Sequence, residues 1–276
     1  MARVREHRAD LLGQPVFWRA ADPDGVPAGA APVLYVHGVP TSSDDWLAFL
    51  ARTGGLAPDL PGFGRSGKRG DGAFTIEGYD AWLEAFLHHA GVGRFSLVVH
   101  DWGAVGLALA QRMPERIERL VIIDAVPLLA GYRWHRIARV WRTPGLGEVA
   151  VGLASSGRVM RAISREANVT PGPLPAELLD SAVAHFDQGT QRAILRLYRS
   201  SPPARLEAAG AQLGALTCPA LVAWGEQDPY VPAAFADAYA QALGGPAEVV
   251  RLPDAGHWPW LDRPDLIDTV AAFLAA

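Results

Sequence analysis

Three short stretches carry side chains of the types used in nucleophilic catalysis, and each follows an apolar run of strand length. Ser96–Val99 ends in His100-Asp101-Trp102-Gly103-Ala104, a carboxylate at a sharp turn leading into small residues. A strand-to-helix turn of this kind is a nucleophile elbow, here with an acid where serine is usual. Ala220–Trp224 ends in Gly225-Glu226-Gln227-Asp228, and Glu248–Leu252 leads to Asp254-Ala255-Gly256-His257-Trp258. Nucleophile, acid and histidine thus follow one another along the chain. A fourth stretch, His37-Gly38-Val39-Pro40 after Pro32–Val36, is a glycine turn that bares backbone N–H groups, as stabilising an oxyanion requires.

Such side chains need a scaffold, and the apolar periodicity supplies one. Pro32–Val36, Ser96–Val99, Leu120–Ile123 and Ala220–Trp224 are apolar bursts bounded by Gly, Pro or a charge. Ile76–Ala90 and Ala104–Arg112 have helical period, and Pro264–Leu274 closes the chain with an apolar stripe behind a proline start. Strand and helix in alternation predict an α/β fold, a mostly parallel sheet with helices on both faces. Ligands of such sheets sit beyond the carboxyl ends of the strands, where all four stretches lie. The rhythm breaks between Leu128 and Leu216, where helical patterns and Pro or Gly interruptions replace strands. This predicts a core over 1–128 and 217–276 with a helical cap over 129–216.

Composition narrows the partners. The chain has 276 residues, 50% hydrophobic and 20% charged, enough apolar material for a large core. A net charge of −4 offers no basic field, so neither nucleic acid nor a membrane surface is expected as partner. A small, largely apolar organic substrate fits better, handled by a monomer or homodimer. The single cysteine, Cys218, excludes an intrachain disulfide, and the charged opening Met1–Asp10 has no apolar core of a secretion signal. With no apolar run of membrane-spanning length, a cytoplasmic location is expected. Gly62-Phe63-Gly64-Arg65-Ser66-Gly67-Lys68 matches a dinucleotide fingerprint, yet Arg69 stands where a phosphate loop needs Ser or Thr, and glycines follow instead of a helix. Neither a metal nor another cofactor is expected. His37 and His100 read as packing residues, and the adjacent His88 and His89 as surface ones.

Five landmarks, in order, resemble a known family: HGVP at 37–40, APDLPGFGRSGK at 57–68, VVHDWG at 98–103, WGEQDPYVP at 224–232 and DAGHWPWLDRP at 254–264. Together they cover nearly the whole chain and are similar to α/β-hydrolases of the branch that holds epoxide hydrolases and haloalkane dehalogenases. The resemblance implies that Asp101 attacks a saturated carbon to form an alkyl-enzyme ester. Water activated by His257 then hydrolyses it, with Val39 and Trp102 N–H groups as the oxyanion hole. The chemistry is sound on first principles, since a carboxylate is ionised at neutral pH and needs no base to attack. Asp228 stands in the usual place for the orienting acid. Asp124, directly after Leu120–Ile123, is its rival, because some dehalogenases of the branch place the acid there.

The leaving group divides the branch. An epoxide leaves an alkoxide that needs a proton, and Tyr198 in Leu197-Tyr198-Arg199 resembles one of the two cap tyrosines that supply it. The other has no evident counterpart, since Tyr132 comes early in the insertion. A haloalkane leaves a halide that needs N–H donors, and Trp102 matches a halide-binding tryptophan. Val39, however, stands where many dehalogenases carry an asparagine, and its side chain has no donor. Opening of an epoxide to a diol is the leading expectation. The alternatives are a haloalkane dehalogenase releasing halide and alcohol, and an ester or lactone hydrolase of the same fold.

Overall fold

A computed structural model describes residues 3–22, 31–169 and 174–276. Eight strands form one sheet: β1 (Arg5–Leu11), β2 (Gln14–Ala21), β3 (Val33–Val36), β4 (Gly55–Pro58), β5 (Phe95–His100), β6 (Ile117–Ile123), β7 (Ala220–Gly225) and β8 (Ala247–Leu252). Their spatial order is β1-β2-β4-β3-β5-β6-β7-β8. The first two pairings are antiparallel and the rest parallel. Every side chain of β3, β5 and β7 is buried, which is why these strands read as unbroken apolar bursts.

Helices cover both faces. They are α1 (Leu47–Thr53), α2 (Ile76–His89), α3 (Val105–Arg112), α10 (Ala234–Ala242), α11 (Pro259–Asp262) and α12 (Asp265–Ala275), the numbers four to nine falling between β6 and β7. In α2 the buried residues Ile76, Tyr79, Trp82, Leu83, Phe86 and Leu87 recur at helical spacing on one face, and the Thr75 hydroxyl caps it by accepting from Gly78 N–H. Burying each of these large side chains contributes roughly 1.5–3 kcal/mol.

Between β6 and β7, adjacent in the sheet, the chain makes α4 (Arg136–Arg142), α5 (Leu146–Ala154), α6 (Gly157–Ile163), α7 (Ala176–His185), α8 (Gln188–Ser200) and α9 (Pro203–Ala209). The 62–70 loop ties this helical segment down. Lys68 Nζ donates to His185 O at 2.6 Å and pairs with Asp187 at 2.9 Å, and Thr190 Oγ1 donates to Gly62 O at 2.9 Å. Ser181 of α7 also bonds Asp44, which Arg19 and Arg65 pair. Gly62 and Lys68, the first glycine and the lysine that imitate a phosphate loop, are committed to this joint, while Gly64 and Gly67 pack against Asp59 and Gln14.

Sequence periodicity does not reveal three strands. β1 and β2 form a hairpin whose turn residues, Leu12 and Gly13, both have positive φ. β1 is an edge strand without one buried side chain, and its charged sequence REHRADL hides the pattern. The four-residue β4, Gly-Leu-Ala-Pro, is too short and weakly β-forming to register.

Candidate active site

The carboxylate at the end of β5 sits on a strained turn. Asp101 has φ +51°, a left-handed conformation that costs a non-glycine residue roughly 1–3 kcal/mol and persists only when its surroundings enforce it. Those surroundings are close. A Cβ on Gly103 would lie 2.1 Å from Val36 O, and one on Gly38 would lie 2.5 Å from both Cβ and Oδ1 of Asp101. The Asp101 carbonyl accepts from Val126 N–H at 2.9 Å, tying the elbow to the segment after β6.

Each carboxylate oxygen of Asp101 has a different role in the geometry. Oδ1 accepts from Val39 N–H at 2.8 Å, while Oδ2 lies 3.6 Å from His257 Nε2. On its other side His257 donates from Nδ1 to Asp228 Oδ2 at 2.7 Å. Asp228 Oδ1 accepts from Tyr230 N–H at 2.7 Å and Val231 N–H at 3.1 Å. Burial alone would raise the Asp101 pKa, but contact with His257 and the Val39 N–H outweigh it and hold the group below its ordinary value. Burial would likewise lower that of His257, yet the Asp228 and Asp101 charges dominate and raise it well above 6.5.

The backbone of His257 is held from two directions. Its N–H donates to Ala167 O at 2.7 Å, and its carbonyl accepts from His100 Nε2–H at 2.7 Å. Because a carbonyl only accepts, His100 carries its proton on Nε2. Burial, with His257 beside it, lowers its pKa to about 3, so it is neutral and positions rather than reacts. His37 is similarly committed, donating from Nδ1 to Gly38 O at 2.7 Å and accepting Leu60 N–H at Nε2 at 2.9 Å. His88 and His89 are exposed.

A chamber of about 80 Å³ opens onto this cluster. Asp101, His257, Tyr198, His135 and Tyr230 supply its polar edges, and Ile137, Trp141, Leu174, Leu178 and Phe186 much of its apolar wall. It is the kind of site that takes a small apolar molecule and offers few polar contacts. Burial and the Asp101 charge raise the Tyr198 pKa well above 10, so the phenol keeps its proton. Among the described residues no group of three or more His, Cys, Asp and Glu side chains is placed to hold a metal, and no helix is long and apolar enough to cross a membrane.

The expected residues are not all brought to one place. Asp101, His257, Asp228, Val39 and Tyr198 meet as described. Trp102 stands behind the wall, its ring 5.4 Å from Trp134 and 5.2 Å from Tyr198 between centroids. Its indole N–H leans toward Tyr198 without completing a hydrogen bond of normal geometry. Asp124 is fully buried beside Asp228 rather than hydrogen-bonded to His257, and its oxygens share the Gly225 N–H at 3.0 and 3.2 Å. Tyr132 donates to Tyr230 O at 3.4 Å, outside the chamber.

Two chamber residues were not among the site residues expected from the sequence, His135 and Tyr230, although Tyr230 lies within the 224–232 landmark. His135 caps α4, accepting Ala138 N–H at Nδ1 at 3.4 Å, which leaves the proton of the neutral ring on Nε2. Burial lowers its pKa to about 4, so it stands as a neutral donor. The ring of Tyr230 lies 4.9 Å from those of both His135 and His257. The available signal for His135 was a cap-forming residue between Trp134 and an apolar helical stripe; for Tyr230 it was its place two residues after Asp228.

The family model for the alpha/beta hydrolase fold matches residues 31–264. A haloalkane dehalogenase of Bradyrhizobium diazoefficiens is 30% identical, over 99% of this chain and 94% of its own length. One from Mycolicibacterium paratuberculosis is 28% identical over 92% and 86%. Among solved structures, haloalkane dehalogenase DbeA from Bradyrhizobium elkani superposes with a TM-score of 0.83 at 28% identity, covering 99% of this chain and 98% of its own. The epoxide hydrolase CorEH has a TM-score of 0.82 over 99% of both chains, but at 23% identity it speaks to the fold alone.

Proposed function

We propose a function from one premise: this chain belongs to the alpha/beta hydrolase fold family, in the branch of haloalkane dehalogenases and epoxide hydrolases. The reaction we assign is hydrolytic dehalogenation of a small haloalkane. The full-length relatives at 28–30% identity move this reading ahead of the epoxide opening expected from sequence.

The observation that carries the mechanism is the one-sided grip on Asp101. Val39 N–H holds Oδ1 at 2.8 Å, which leaves Oδ2 to attack. As the C–Oδ2 bond forms, the carbon–halogen bond breaks and the halide leaves with its electron pair. The Tyr198 O–H and His135 Nε2–H, both on the chamber wall, are the donors that receive it. Oδ1 is now the ester carbonyl oxygen, and Val39 N–H with the Trp102 amide stabilises its charge when water adds.

Hydrolysis requires a neutral His257, and alkylation itself releases one. In the resting site His257 lies between two carboxylates that raise its pKa. Esterification neutralises Asp101, removing one of those charges, so the histidine gives up its proton to solvent and becomes the base. It takes a proton from water as the water oxygen adds to Cγ of Asp101; the Cγ–Oδ2 bond then breaks, and the His257 imidazolium returns a proton to the departing oxygen, so the alcohol leaves with the former Oδ2. Asp228 fixes the ring and stabilises the imidazolium that forms.

The second reading is epoxide opening, favoured by one observation: the protonated Tyr198 phenol facing the chamber beside Asp101. An ester or lactone fits less well, because carboxylate attack on an acyl carbon would yield an anhydride. Incubation with a terminal bromoalkane and a terminal 1,2-epoxyalkane decides between the readings. Stoichiometric bromide and alcohol support the first; diol without bromide turnover supports the second.

A further inference from the structure

Asp124 is a buried titratable group that the mechanism above leaves idle. It directly follows β6, as Asp228 lies in the turn after β7, and the two strands are paired with Ile123 opposite Ala223. Its φ of +38° is the second strained aspartate conformation of the molecule, so the surroundings enforce its position as they enforce that of Asp101. The side chain is wholly inaccessible, and a single backbone N–H, that of Gly225, is shared between its two oxygens. An ionised carboxylate in that position would carry a full charge on one shared donor. Asp228 has the opposite balance: three donors, Tyr230 N–H, Val231 N–H and His257 Nδ1–H, leave one of its about four lone-pair sites open. The Asp124 carboxyl lies within hydrogen-bond reach of it.

We propose that Asp124 is a positioning residue that holds a proton and donates it to Asp228, fixing the carboxylate that orients His257 without adding a second negative charge behind the ring. This rests on the reading of His257 as the hydrolytic base. The titratable groups facing Asp124 are Asp228, from the turn after β7, and His257, from the loop after β8; among the described residues no lysine or arginine pairs with it. Burial first, and the Asp228 charge second, raise its pKa well above the ordinary carboxylate range, in the direction the donor count requires. The pair shares one negative charge, as two close buried carboxylates do when one is kept neutral.

Asparagine reproduces a protonated aspartate here: its oxygen accepts Gly225 N–H and its amide donates to Asp228. Asp124→Asn should therefore hydrolyse the alkyl-enzyme within about threefold of wild type, with the acid limb of its pH profile unmoved. Asp124→Ala removes the donor to a charged acceptor and should slow that step by about 10- to 150-fold, leaving alkylation intact. In the resting enzyme, the infrared difference between wild type and Asp124→Asn should contain the carbonyl band of a protonated carboxylic acid. That band needs no turnover, so it tests the proton on Asp124 even if the assigned reaction is wrong. An ionised Asp124 would give no such band, and its replacement by Asn would remove a negative charge beside His257 and shift the acid limb to lower pH. Either result, or an Asn variant as slow as the Ala variant, overturns the proposal.

Discussion

Replacing Tyr198 by phenylalanine removes one hydrogen-bond donor from the chamber and leaves its walls in place. The ring is clamped between Trp102, Trp134 and Trp141, at centroid distances of 5.2, 5.0 and 5.0 Å, so the phenyl group has no reason to move. What is lost is the O–H that meets the leaving group. For a bromoalkane this is a hydrogen bond to an anion, worth about 1.5–3 kcal/mol, and His135 still faces the halide. Alkylation should then slow by about 10- to 150-fold. For an epoxide the same group must also transfer its proton, and the loss should reach about 10²- to 10⁴-fold. Rapid-quench single-turnover kinetics, following bromide release and enzyme alkylation on each substrate, separates this step from hydrolysis. If Tyr198→Phe leaves alkylation unchanged on every substrate that turns over, Tyr198 does not receive the leaving group, and the role assigned to the chamber's polar edge is wrong.

Three further outcomes follow from the same geometry. Asp228→Asn should cut hydrolysis of the alkyl-enzyme by about 10²- to 10⁴-fold while sparing alkylation, because His257 loses its orienting acceptor at 2.7 Å; stopped-flow measurement of the two steps checks it. In wild type, alkylation should stay flat from about pH 5 to about pH 9, since Asp101 is held below its ordinary value and remains charged. Hydrolysis should fall as pH falls, because protonated His257 is no base, so acid should accumulate the alkyl-enzyme, visible by mass; an acid-independent hydrolysis rate would contradict this. Gly38→Ala puts a methyl group 2.5 Å from the Asp101 side chain and should reduce alkylation by more than about 100-fold in a protein that still melts cooperatively, as calorimetry would record.

The parts of this molecule that were legible in the sequence are those fixed by local rules. β5 and β7 are buried along their whole length, so their composition alone declares them. The elbow at Asp101 and the turn carrying Asp228 follow such strands directly, whereas the loop carrying His257 follows β8, of which only Leu252 is buried. Composition also conveys that a helical segment interrupts the sheet, because helical patterns replace β-rich bursts there. What stayed hidden depends on contacts distant in sequence. The choice between Asp124 and Asp228 turns on which carboxylate reaches Nδ1 of a residue after β8, and both follow equally plausible strands. His135 enters the chamber only because α4 begins above Asp101, a placement set by packing of the cap. Trp102 illustrates the reverse: its type and position suggest a leaving-group ligand, but Trp134 stacks on its ring, Tyr198 meets it edge to face, and its side chain takes no part in the chamber wall.

The central claim is that a carbon of the substrate becomes covalently bound to Asp101, and His257→Gln tests it most directly. Attack by Oδ2 needs no base, whereas hydrolysis does, so this variant should stop after the first step. Mixed with a bromoalkane that the wild type turns over, it should release one equivalent of bromide. Its intact mass should rise by one alkyl group, and peptide mapping should place that group on Asp101. Turnover in wild type with no adduct on the His257→Gln protein, or an adduct on another residue, would contradict the account.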